Sequence, residues 1–257
     1  MTTGKTLAAA AFLAAAFAAC AEAPSVRQGV DGVTVSGGAA RKIRVACIGD
    51  SITWGTAMTN RVAECYPAQL QKLLGDRYEV VNFGDPGSCV YLEPQAGPSG
   101  WRPHSWRKGR NGAAAYTFKP DIVVSNLGIN DTACYMYEYV YDEKGIPKTE
   151  PGLFRRQYVE ILKEFERDGR SPRFIVWTRL GPTGKKHRLK GLPDAFVMRR
   201  DLEAVARSVG AVELDMYAPL LPYAETEHFA RDGIHPEGGA QRVIAEETAR
   251  VIRGLER

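Results

Sequence analysis

Histidine is scarce in this sequence, net charge is small and long apolar runs are almost absent, and each shortage narrows what the chain can do. The four histidines are His104, His187, His228 and His235. No two stand at the spacing of a zinc-protease helix, and Glu225-x-x-His228 has no companion ligands, so no metal site is expected. The formal charge of +4 is far too small a bias to imply nucleic-acid binding. No internal repeat is present, and the sole uninterrupted Ala, Leu and Phe run, Leu7 to Ala19, falls short of the roughly 20 apolar residues that span a bilayer.

That run lies behind Lys5 and suits a signal-peptide core. Phe17-Ala18-Ala19-Cys20 looks like a bacterial lipobox, in which the cysteine is lipidated and becomes the mature N-terminus; ordinary signal-peptidase cleavage is the alternative. The expected organisation is a signal peptide over 1–19, a tether over 20–40 and one folded domain over 41–257. The expected location is the bacterial cell envelope, in the periplasm or on the outer-membrane surface, with membrane contact only through a lipid on Cys20.

Strand-like runs at Ile43 to Ile48, Tyr78 to Asn82, Ile122 to Leu127, Phe174 to Thr178 and Ala211 to Asp215 alternate with helical patterns. Phe154, Tyr158, Ile161, Leu162 and Phe165 recur at helical spacing, as do Met198, Leu202, Val205 and Val209, and Val243, Ile244, Val251 and Ile252 mark a closing helix. Such alternation predicts an α/β fold, a parallel sheet of about five strands with helices on both faces.

Four short blocks carry chemistry. Gly49-Asp50-Ser51-Ile52-Thr53 follows the first strand and puts a serine hydroxyl on a tight turn at its C-terminal end. Asn82-Phe83-Gly84-Asp85-Pro86-Gly87 and Gly128-Ile129-Asn130-Asp131 follow the second and third strands, and loops of this kind converge on one crevice beyond the carboxyl ends of an open sheet. Near the C-terminus, Asp232-Gly233-Ile234-His235-Pro236 spaces a carboxylate three residues from an imidazole. A serine hydroxyl is a poor nucleophile until a positioned imidazole takes its proton, and the imidazole needs an acceptor to hold its tautomer and stabilise its cation.

Together these blocks resemble the GDSL, or SGNH, hydrolase family, over the stretch from about Lys42 to Arg257. The resemblance implies a single-domain three-layer α/β/α flavodoxin-like fold and serine-esterase chemistry without a cofactor. Ser51 would be the nucleophile, His235 the general base and then acid, and Asp232 its orienting residue. The oxyanion hole would comprise the Ser51 N–H, the Gly87 N–H, preferred over that of Gly84, and the Asn130 side-chain amide. Tyr66-Pro67-Ala68-Gln69-Leu70 and the second and third blocks look most like exported carbohydrate esterases, sialate-type O-acetylesterases among them. The substrate would be a small-molecule or glycan ester with an acetyl group as the acyl moiety. Lysophospholipase, thioesterase and arylesterase activities of the same family are alternatives, and a non-catalytic glycan-binding lipoprotein is an alternative of another class.

Substrate-binding expectations fall on Asp50, on Trp101, Arg102, Trp106 and Arg107 in the basic loop between the second and third blocks, and on Tyr135 in an alternating run with Tyr137, Tyr139 and Tyr141. Trp beside Arg is a pairing suited to stacking a sugar and holding an anionic group. A second basic run, Lys185 to Lys190, has a solvated loop as its bland reading. Cys47 reads as a buried thiol, and a Cys89–Cys134 disulfide is geometrically conceivable.

Overall fold

A computed structural model describes residues 41–96, 100–133, 152–179, 195–224, 229 and 232–256. Five parallel strands, β1 (Ile43–Gly49), β2 (Tyr78–Gly84), β5 (Ile122–Ser125), β6 (Arg173–Arg179) and β7 (Val212–Asp215), form one sheet in the order β2-β1-β5-β6-β7. Two short strands, β3 (Ser88–Cys89) and β4 (His104–Ser105), pair separately, with Ser88 opposite His104. The helices are α1 (Ser51–Trp54), α2 (Arg61–Glu64), α3 (Tyr66–Leu74), α4 (Arg110–Phe118), α5 (Leu153–Lys163), α6 (Ala195–Ser208), α7 (Tyr217–Leu220) and α8 (Gly238–Gly254).

The central strands read as near-continuous apolar runs because both of their faces are covered. Alternate residues divide between two cores. Ala46, Ile48, Val123, Phe174 and Val176 pack with Phe154, Tyr158 and Ile161 of α5 and Met198, Leu202 and Val205 of α6. On the opposite face Val45, Cys47, Val124, Ile175 and Trp177 meet Tyr66 and Leu70 of α3 and Ile244, Ala245 and Ile252 of α8. This is the expected three-layer α/β/α arrangement. Among the described residues no helix is long and apolar enough to cross a membrane.

In spatial order the main strands run 2-1-3-4-5, the flavodoxin-like order, and the direction of winding reverses between β1 and β5. A doubly wound sheet opens a crevice at such a switch point. Ser51 directly follows β1 and Asn130 follows β5, so topology alone carries both residues to its rim. The expected strands correspond to observed ones with ends shifted by at most two residues, and the three expected helical patterns fall on α5, α6 and α8, with Phe165 and Val209 just past the ends of α5 and α6.

Candidate active site

β1 ends at Gly49, and the chain turns at once into the single-turn helix α1, whose first residue is Ser51. Asp50 caps that helix by accepting the Ile52 N–H at Oδ1, 2.9 Å away. The second block braces the turn from beside it. Asn82 Nδ2 donates to Thr53 O at 2.8 Å, and the Asp85 N–H donates to Gly49 O at 2.9 Å. Gly84 permits this approach, since a Cβ there would stand 2.2 Å from Trp54 N.

His235 reaches Ser51 from the C-terminal segment. Its Nε2 lies 2.8 Å from Ser51 Oγ, and its Nδ1 lies 2.6 Å from Asp232 Oδ2. Asp232 Oδ1 accepts the N–H groups of Ile234 at 2.9 Å and His235 at 3.2 Å. Burial pulls the Asp232 carboxyl upward, but those backbone donors and the imidazole outweigh it and hold the group below its ordinary value. A carboxylate on Nδ1 favours the tautomer that leaves Nε2 free to accept the serine proton.

Asp85-Pro86-Gly87-Ser88 is a type II turn. The Ser88 N–H donates to Asp85 O at 3.0 Å, proline stands at the second position, and Gly87 at the third has φ +83°. Asn130 Nδ2 donates to Ser88 O at 2.8 Å. That bond uses one of the two amide N–H groups and leaves the other. Gly84 cannot serve in place of Gly87, because its N–H is already given to Asn82 Oδ1 at 2.9 Å. The third block is tied in below, where Asp131 Oδ1 accepts the Val90 N–H at 2.9 Å.

Three of the expected binding residues need correction. Asp50 is fully buried, and desolvation raises its carboxyl to about 7; it is a cap beneath the turn with no surface to offer a substrate. Trp106 is fully buried, and its Nε1 donates to Phe83 O at 3.0 Å, so it belongs to the core. Arg107 spans to Glu160 and Glu164, at 3.1 and 3.2 Å, and its charge is taken up by the α5 side of the molecule. Trp101 and Arg102 are exposed, and Trp101 stands beside Gly87. Tyr135 and its neighbouring tyrosines, the run Lys185 to Lys190, Cys134 and Cys20 lie outside the described residues. Cys47 is buried, with burial driving its thiol strongly upward; Cys89 is buried too. Among the described residues no cluster of His, Cys, Asp or Glu is arranged to hold a metal.

Sequence reasoning missed Gln241. This fully buried side chain of α8 accepts the Tyr66 N–H at 2.8 Å and donates to Pro236 O at 3.1 Å and Ile52 O at 3.4 Å. It thereby joins the start of α3, the residue after His235 and the residue after Ser51. A glutamine on the largely apolar face of α8, which also carries the buried Thr248, was the available signal, since buried polar groups are retained with partners.

With this geometry in view, residues 47–243 match the model of the GDSL-like Lipase/Acylhydrolase family. The chain belongs to that family. An acetylxylan esterase of Xylanibacter ruminicola is 28% identical over 226 residues, which cover 82% of this chain and 43% of the relative. The chain thus spans under half the length of that relative. Among solved structures, an acetylxylan esterase from Geobacillus stearothermophilus has a TM-score of 0.57 at 19% identity, covering 82% of this chain and 94% of that one. The native aryl esterase of M. smegmatis has a TM-score of 0.58 at 18% identity, covering 83% and 99%. At such identities these two structures speak to the fold.

Proposed function

We propose that this GDSL-family chain hydrolyses acetyl or other short-acyl esters on carbohydrates through an acyl-enzyme on Ser51. The observation that carries the proposal is the contact chain Ser51 Oγ, His235 Nε2, His235 Nδ1, Asp232 Oδ2, at 2.8 and 2.6 Å. As Ser51 Oγ attacks the acyl carbon, His235 Nε2 takes its proton and Asp232 stabilises the imidazolium. Charge developing on the carbonyl oxygen is met by the N–H groups of Ser51 and Gly87 and the remaining Asn130 amide N–H. Collapse of the intermediate expels the sugar oxygen, which receives the proton from His235. Water, deprotonated by the same imidazole, then attacks the acyl-serine, releasing the acid and restoring Ser51.

The acetylxylan esterase relative, aligned over 82% of this chain, favours an acetylated polysaccharide and makes acetylated xylan the first substrate to test. A p-nitrophenyl ester series from acetyl to dodecanoyl, with mass spectrometry of products from acetylated xylan, checks the proposal. Rates are expected to be highest for acetate, and Ser51→Ala to lower kcat by on the order of 10⁴-fold or more. Rates rising toward long chains would replace the carbohydrate reading with a lipid one, and a Ser51→Ala variant as fast as the parent would remove the mechanism. The amino-terminal features support an exported, lipid-anchored protein within the same proposal, with residues 1–19 as signal peptide, Cys20 as anchor and 20–40 as tether.

A further inference from the structure

A second histidine–carboxylate pair stands next to the proposed oxyanion hole. The pairing of β3 with β4 lays His104 against the second block, and the His104 N–H donates to Gly87 O at 3.2 Å. His104 Nε2 lies 3.1 Å from Asp85 Oδ2. A Cβ built on Gly87 would be 3.7 Å from both Cε1 and Nδ1 of His104 and 3.7 Å from Cζ2 of Trp101. The imidazole and the indole therefore both stand over the Gly87 α carbon. Both remain open to solvent, the His104 side chain 49% exposed and Trp101 41% exposed.

Buried aromatic and imidazole groups in such a loop would be packing, but these two are about half exposed and converge on one backbone position of the proposed reaction centre. Asp85 is the acceptor that favours a proton on His104 Nε2, and in the neutral ring Nδ1 then becomes an acceptor. A partly exposed indole suits the C–H face of a sugar ring, and a fixed acceptor beside it suits a ring hydroxyl, whose O–H donates. Asp85 is itself held in place, with its N–H on Gly49 O at 2.9 Å and its carbonyl closing the Gly87 turn. The pair is thus tied to the loop that carries Gly87, one of the three proposed oxyanion donors.

We propose that Trp101 and His104, the latter oriented by Asp85, form a sugar-binding subsite on the oxyanion-hole side of Ser51, with Trp101 covering a ring face and His104 Nδ1 accepting from a sugar hydroxyl. This rests on the carbohydrate-esterase reading above and assigns its substrate selectivity to Trp101 and His104, which lie outside the four motif blocks, with Asp85 of the second block as support. The subsite discriminates between an acetylated sugar and an ester whose alcohol carries no hydroxyl for His104.

The test measures kcat/KM for an acetylated xylo-oligosaccharide and for p-nitrophenyl acetate in the full chain and in its His104→Leu and Trp101→Ala variants, with thermal melts to verify folding. The ratio of the two constants, sugar over nitrophenyl, is expected to fall at least about tenfold in each variant, chiefly through KM for the sugar. Constants for both substrates falling in parallel would overturn the subsite and leave the esterase reading standing, as would an unchanged ratio. A parent chain with no turnover of p-nitrophenyl acetate would overturn the esterase reading and the subsite with it.

Discussion

Asp50 presents an acid where the fold gives it almost no solvent. It is fully buried under the Ser51 turn, and its Oδ2 has no hydrogen-bond partner among the described residues. Burial lifts its pKa from 3.8 to about 7, against the pull of the Ile52 N–H. Burial likewise raises Asp131 well above its usual value, and the charge of Asp50 adds to that rise. A carboxyl whose folded pKa exceeds its unfolded one binds more protons in the native state, so stability declines as pH climbs through the interval between them. For Asp50 the penalty begins near pH 3.8 and is complete above about 7. Asp50→Asn keeps an oxygen acceptor for Ile52 and removes the titration. Its melting temperature relative to the parent is expected to rise from pH 4 to pH 8, by an amount corresponding to a few kcal/mol at most. A difference that is flat or shrinks with pH would show that Asp50 ionises freely in the folded protein. Asp232 works in the opposite sense: its lowered pKa makes its contribution to folding present at neutral pH and lost in acid, and its half-exposed side chain keeps that contribution small.

Elements cooperate through Gln241, which links α8 to the residues that directly follow the two partners of the proposed proton transfer. Removing its amide strands the Tyr66 N–H and the carbonyls of Pro236 and Ile52 away from a partner they now have. Gln241→Leu is therefore expected to cost about 1–3 kcal/mol in denaturant unfolding. Because Ser51 and His235 would no longer be held in register, kcat should fall by ~10–100-fold with a smaller change in KM. A leucine variant that is less stable yet turns over as fast as the parent would reduce Gln241 to a folding role. Much of this level was legible beforehand. The strands announced themselves as apolar runs because a parallel sheet buries both faces, and the Asp232–His235 contact is local enough for a three-residue spacing to foretell it. Orientation within the basic loop was not legible. Trp101 and Trp106 sit in the same Trp-Arg context, and only the pairing of β4 with β3 turns one outward beside Gly87 and the other into the core. Gln241 escaped notice because its partners are distant in sequence and only the packed fold brings them to one side chain.

At the largest scale the chain divides into two units, Met1–Arg41 and Lys42–Arg257, and every element assigned above belongs to the second. The whole of the proposed chemistry therefore has its residues within Lys42–Arg257, and the proposed role of the first unit is location alone. A single acyl chain binds membranes only marginally, so stable anchoring at Cys20 calls for at least two. Expressed in a bacterium with lipoprotein processing, the full chain is expected in the detergent phase of a Triton X-114 partition, and Cys20→Ser in the aqueous phase. The soluble variant should keep the parent kcat/KM on p-nitrophenyl acetate, because position 20 lies outside the unit that holds Ser51, Asp232 and His235. Equal partition of parent and variant would remove the anchor. A loss of turnover on the soluble ester would instead mean that the amino-terminal unit takes part in catalysis, contrary to the division of labour drawn from the fold.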